Sequence, residues 1–105
     1  MRNIKPALAE FKARISRLYG KRLKKVILYG SWARGEASEG SDIDLAVVLS
    51  GDVDAGKELD RMVDIVSEIN LTNGLLLAVY PVSEKDFKLL KSPLLMNIRR
   101  EGVPA

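Results

Sequence analysis

The sequence predicts an α/β (α+β) fold in which a small mixed β-sheet packs with helices, in the order α-β-β-α-β-α-α. Three features predict it. Two long stretches repeat apolar residues at three- and four-residue spacing, the period of an amphipathic helix. Three short apolar runs, bounded by glycine, proline and small polar residues, read as buried strands. Two serine-led starts near the C-terminus mark further helices. The 105 residues suffice for one domain, 1–105, and are too few for two.

From Lys5 onward Leu8, Phe11, Ile15 and Leu18 recur with Lys and Arg between them. Pro6 suits the first turn of that helix and Gly20 its stop. Val26-Ile27-Leu28-Tyr29, ending at Gly30, is the first strand, and residues 36–41 form a polar loop. Ile43 to Leu49 is the second strand, with Ala46 to Leu49 buried on both faces. The span between the two is too short for a βαβ crossover, so they are expected to run antiparallel. In the helix from Ala55 to Leu71, Ala55, Leu59, Met62, Val66 and Ile69 make one stripe. Lys57, Asp60, Arg61, Asp64 and Glu68 face away from it. Asn73-Gly74 ends this helix, and Leu75 to Val82 is the third strand. Ser83 and Asp86 have the spacing of a capping box. Ser92-Pro93 starts the last helix, which carries Leu94, Leu95 and Ile98 and stops at Gly102.

Composition narrows the chemistry. The chain has no cysteine and no histidine, which excludes disulfides, thiolate or imidazole metal sites, and Cys- or His-dependent catalysis. Carboxylates, hydroxyls, lysines, arginines and backbone amides are what remain. No apolar run approaches the roughly 20 residues of a bilayer span, and the N-terminus lacks a signal peptide's apolar stretch, so a cytoplasmic protein is expected. The net charge of +3 is unevenly placed. Residues 1–25 hold nine Lys/Arg against Glu10 alone, while the rest hold eight basic and thirteen acidic residues. The basic end suits a phosphate-rich ligand or acidic partner; its simpler reading is a solvated helix face. Binding to nucleic acid rests on that charge alone, because no aromatic stacking surface or reading motif accompanies it.

The chemistry-bearing residues are Gly30-Ser31-Trp32-Ala33-Arg34-Gly35 and Ser41-Asp42-Ile43-Asp44-Leu45. The first group sits where a strand gives way to a helical turn, where free backbone N–H groups meet anions. Gly30 lacks a Cβ, which lets a phosphate approach the backbone, and Ser31 adds a hydroxyl donor. Asp42 and Asp44, two apart at the start of a strand, leave the same face of the sheet. Two carboxylates so close repel, and a cation between them relieves the repulsion. Hard oxygen ligands in this number suit Mg²⁺, which completes its octahedron with water and phosphate oxygens. A turn role explains Asp42 well enough, but it explains Asp44, inside an apolar strand, poorly. Trp32 is placed either to stack on a base or to pack beneath the turn.

Gly-Ser, ten residues, then Asp-x-Asp is more specific than either half. On that motif, Gly30 to Asp44, the chain resembles the DNA polymerase β-like nucleotidyltransferase superfamily. The likeness is greatest to its minimal nucleotidyltransferase (MNT) members, often found as antitoxins paired with HEPN-domain proteins. The flanking segments agree with that family's minimal fold over nearly the whole chain. The resemblance implies that Gly30 and Ser31 hold the triphosphate, Asp42 and Asp44 bind Mg²⁺ or Mn²⁺, and Arg34 lies near the phosphates. It implies ATP or another nucleoside triphosphate as substrate and a hydroxyl as acceptor. A HEPN-domain protein and a second copy of the chain are its candidate partners.

One departure stands out. Competent members of the family carry a third carboxylate on a later strand, and Leu75 to Tyr80 contains no acid. The matching position is expected near Leu77 or Val79. Two functions therefore compete: transfer of a nucleoside monophosphate, and a catalytically weakened antitoxin that acts by binding its HEPN partner, with Leu94 or Met96 as contacts.

Overall fold

The computed structural model describes residues 3–105. Among these the elements run α1 (Lys5–Tyr19), a 3₁₀ turn (Gly20–Arg22), β1 (Leu23–Tyr29), α2 (Ser31–Arg34) and β2 (Ile43–Leu49). They continue with α3 (Ala55–Asn73), β3 (Leu77–Ser83), α4 (Glu84–Leu89), α5 (Pro93–Glu101) and β4 (Val103–Pro104). The strand order is β3-β2-β1-β4. β1 is antiparallel to β2 and to β4, whereas β2 and β3 are parallel through the α3 crossover. The mixed sheet and the antiparallel first pair are as the sequence predicts.

β2 lies between β1 and β3, and helices cover both faces of the sheet. Leu45 through Leu49 are accordingly buried without exception, as a run of five apolar residues requires. Phe11 and Ile15 of α1 and Met62 and Ile69 of α3 pack on one face, against Ile43, Leu45, Val47 and Leu49. Leu95 and Ile98 of α5 pack on the other, against Ile27, Ala46, Val48 and Val82. Serine caps do what their spacing predicts: Ser83 accepts from the Asp86 N–H at 3.1 Å and Ser92 from the Leu95 N–H at 3.1 Å. Among the described residues no helix is long and apolar enough to cross a membrane.

The departures have physical reasons. β1 starts three residues earlier than its apolar run, taking in Lys24 and Lys25. β4 pairs only with Ile27 and Leu28, so the early part of β1 keeps one open edge where exposed lysines are tolerated. β3 begins at Leu77 rather than Leu75 and holds Pro81 internally, which an outermost strand permits. α3 runs two residues beyond Leu71, to a left-handed Gly74 cap. Its buried stripe is rotated from the predicted one: Leu59 is 41% exposed, while Glu58 is 5% exposed. Glu58 accepts the Tyr19 hydroxyl at 2.8 Å and lies 3.7 Å from Arg22 and 3.8 Å from Arg61. A carboxylate with three partners can go inside where an unpaired one cannot. Tyr19 likewise takes the buried place predicted for Leu18 at the end of α1. Burial and the neighbouring Glu58 push the Tyr19 phenol well above its ordinary range.

Candidate functional site

The site is assembled where β1 ends beside the start of β2. Tyr29, the last residue of β1, is opposite Asp44 in the antiparallel register. The chain must then leave the sheet at once, and Gly30 does so with φ 73° and ψ −154°, a conformation that only glycine adopts without strain. A second constraint acts at the same atom. A Cβ on Gly30 would land on the Oδ2 of Asp44. The bare Cα therefore makes room first for Asp44, a closer reason for glycine than access for a phosphate.

α2 is a single turn. The Arg34 N–H donates to the Gly30 carbonyl at 3.1 Å and the Glu36 N–H to the Ser31 carbonyl at 2.9 Å. Trp32 packs against the α1/α3 core and donates its indole Nε1–H to the Ser41 carbonyl at 3.4 Å. That contact ties the turn to the loop just before Asp42. The Ser31 hydroxyl makes no hydrogen bond among the described residues.

Asp42 is exposed and Asp44 half-buried, and alternation along β2 puts both on the α4/α5 face of the sheet. Burial raises the Asp44 carboxyl above its ordinary range, the charge of Asp42 raises it further, and Arg34 partly opposes both. Asp42 is thus near enough to disfavour the charge on Asp44. Tyr29 beside them is pushed up to about 12 by burial, then by Asp44 and Tyr80. Two mutually repelling carboxylates, one of them half-desolvated, fit a divalent cation: its charge would remove the penalty that the bare pair carries. No group of three or more potential metal ligands occurs among the described residues, so the pair would leave most of a cation's positions to water and phosphate.

The register corrects the place predicted for a third acid. Leu77 and Val79 pack on the opposite face, with Ile43 and Leu45. The residue level with Asp44 on β3 is Ala78, and Tyr80 is level with Ala46. Ala78 brings no carboxylate, so the absence of an acid on this strand stands.

Sequence reasoning missed Glu101, the last residue of α5. Its Oε1 accepts the Gly30 N–H at 3.3 Å, and its two oxygens lie 3.1 and 3.3 Å from Arg34 Nη1. Glu36 takes the Arg34 Nε–H at 2.9 Å. The hydrogen bonds to these two carboxylates, Glu36 first and then Glu101, hold the Arg34 guanidinium above its ordinary range. Glu101 is 67 residues from Arg34 along the chain, and at the end of an amphipathic helix it looks like any solvated acid. Of the predicted residues, then, Gly30, Arg34 and Asp44 come together with Asp42 adjacent, and Ser31 heads the turn. A cavity lies elsewhere. About 510 Å³ in volume, it is lined by Trp32, Ser41, Ile43, Asn70, Leu75 and Leu76, on the sheet face away from the two aspartates.

Known proteins resemble this chain in sequence and in fold. Residues 8–101 match the model of the nucleotidyltransferase domain family. Two proteins of Methanocaldococcus jannaschii, each described as a "putative protein adenylyltransferase", are similar along nearly their full lengths. One is 36% identical over 95% of this chain and 95% of its own. The other is 31% identical over 91% of this chain and 92% of its own. The fold is also that of a toxin–antitoxin crystal structure with AMP-PNP, at a TM-score of 0.63 and 16% identity over 90% of this chain and 68% of that one. A family match over residues 8–101, with relatives more than 30% identical along almost the whole chain, shows that the chain belongs to the nucleotidyltransferase domain family.

Proposed function

We propose that the chain transfers a nucleoside monophosphate, AMP from ATP in the first instance, to a hydroxyl of a partner protein. The observation that carries this reading is the seating of Asp44 against the bare Cα of Gly30, which joins the acid pair to the anion-binding turn. The description of the Methanocaldococcus relatives as protein adenylyltransferases supports a protein acceptor. The AMP-PNP of the similar toxin–antitoxin structure supports an adenine nucleotide and a partner chain.

In this reading Gly30 and Ser31 hold the β- and γ-phosphates through the Gly30 N–H and the Ser31 hydroxyl, and Arg34 neutralises their charge. Asp42 and Asp44 hold Mg²⁺ or Mn²⁺, which when bound stabilises negative charge developing on the phosphates. The acceptor oxygen attacks the α-phosphorus and a new P–O bond forms. The bond from that phosphorus to the oxygen bridging to the β-phosphate breaks, pyrophosphate leaves with the electron pair, and the hydroxyl proton passes to solvent. The protein's contribution is placement and charge, since no side chain level with Asp44 on β3 can take that proton.

Ala78 favours a second reading. Without an acid there, the chain would act as a weakened antitoxin that neutralises a HEPN-domain partner by binding. The exposed Leu94 and Met96 of α5 are suited to that contact. One experiment separates the two. The protein is incubated with Mg²⁺, ATP labelled on the α-phosphate and the protein encoded beside it. Transfer requires covalent label on either chain that disappears in Asp42→Asn and Asp44→Asn. A stable complex that never acquires label establishes the binding reading and removes the first.

A further inference from the structure

Glu101 plays no part in the transfer just described, yet it occupies the anion site on which that transfer depends. Its position is fixed by the fold. The Gly102 N–H closes α5 onto the Ile98 carbonyl at 2.8 Å, and a Cβ at Gly102 would strike the Ile27 side chain. Val103 and Pro104 then pair with Leu28 and Ile27 of β1. The Glu101 side chain is left 18% exposed, with its carboxylate on the Gly30 N–H and the Arg34 guanidinium. A phosphoryl oxygen would use the same two donors, and two anions cannot share them without repulsion.

We propose that Glu101 is a built-in competitor for the polyphosphate: in the free chain it closes the Gly30–Arg34 site, and a triphosphate enters by displacing it. The end of α5 thereby gates nucleotide binding. This rests on the reading of Gly30 and Arg34 as triphosphate ligands. Glu36 keeps its hold on the Arg34 Nε when Glu101 leaves, so the guanidinium stays at the site. The part that yields is small, because β4 contributes only two pairs to the sheet. Apparent affinity falls in proportion to the fraction of chains with the site open, so a site open one-tenth of the time binds about tenfold more weakly than its own donors allow.

The test compares wild type with Glu101→Gln, which keeps the shape and an acceptor oxygen but loses the charge. Inorganic tripolyphosphate and Mg-ATP are titrated calorimetrically into each, with thermal melts to confirm folding. The gate requires Glu101→Gln to bind both about tenfold more tightly; equal or weaker binding by a folded variant overturns it. Should the variant not fold, NMR of the wild type decides. The Glu101 carboxyl resonance must shift with the same midpoint as the Gly30 amide when tripolyphosphate is added, and a stationary Glu101 overturns the gate. Failure of tripolyphosphate to bind either chain overturns the gate and the anion reading together. Tighter binding with no transfer of label from ATP upholds the gate and removes only the proposed transfer.

Discussion

Gly30→Ala tests the joint between turn and acid pair most directly, and two separate costs can be worked out for it. The first is conformational. At φ 73° and ψ −154° a residue with a side chain is strained by about 1–3 kcal/mol. The second is the collision of the new methyl with Asp44 Oδ2, which forces that carboxylate off its rotamer for about 1 kcal/mol more. The sum is about 3 kcal/mol. Gly35→Ala supplies the control. Gly35 has a similar φ of 72° but an ordinary left-handed ψ of 21°, and a Cβ there meets nothing. It should lose about 1 kcal/mol. Urea unfolding followed by the fluorescence of Trp32, the one tryptophan of the chain, measures both. With a slope of about 2 kcal/mol per molar, the midpoints should fall by about 1.5 M for Gly30→Ala and about 0.5 M for Gly35→Ala. Adding Asp44→Ala to Gly30→Ala should restore about 1 kcal/mol relative to additivity, because the two positions touch. Equal losses at Gly30 and Gly35, or no relief from removing Asp44, would refute the claim that the turn is shaped around this carboxylate.

Three further outcomes follow from the same structure. Asp44 has a raised folded-state carboxyl, so the folded chain holds this proton more tightly than the unfolded one. Its contribution is neutral below the ordinary carboxylate value and becomes a penalty as pH rises through the raised one. Asp44→Asn should therefore raise the urea midpoint at pH 7 and not near pH 3, and Mg²⁺ should stabilise the wild type more than the variant. Tyr19→Phe removes the hydroxyl donor to buried Glu58 while Arg22 and Arg61 remain, and should cost about 1.5 kcal/mol by urea unfolding. Ala78→Asp places a third carboxylate level with Asp44 and should speed transfer of label from ATP, by up to about 10²–10⁴-fold if it serves as the base. Slower transfer by a folded Ala78→Asp chain would show that lack of an acid on β3 does not limit the rate.

The fold was readable where local rules and packing agree. The apolar run of β2, the Ser83 and Ser92 caps and the Gly74 stop all combine a local signal with the place they occupy. It was misread where a distant partner changes what a residue type means. Leu59 reads as part of the buried stripe of α3, but Glu58 is buried in its stead, partnered by Tyr19, Arg22 and Arg61. The first strand reads from Val26, leaving out Lys24 and Lys25, because the open edge of β1 depends on how short β4 is. The same distinction holds at the candidate site. Gly30, Ser31, Arg34, Asp42 and Asp44 lie within one short stretch of chain, where spacing alone brings them near one another. Glu101 is carried in by a helix 67 residues from Arg34, and no local pattern announces it.

The third-acid position shows how a small error of boundary becomes a large error of chemistry. Side chains on a strand alternate between faces, so which residue of β3 joins Asp44 depends on register alone. A start at Leu75 leaves that register free, and apolar residues fill both faces of the run, so hydrophobicity cannot set it. The pairing of Ile43 with Leu77 fixes it, by putting Leu77 and Val79 into the α1/α3 core and Ala78 beside Asp44. A small side chain there leaves space next to a half-buried carboxylate whose charge is already disfavoured by Asp42. Glu101 is drawn instead to Gly30 and Arg34, the donors proposed for a polyphosphate. On the proposed reading, a cation would relieve the repulsion that Asp42 exerts on Asp44, and the phosphates would replace Glu101 on its two donors. Binding of the two should therefore be mutually reinforcing, each removing a repulsion that opposes the other.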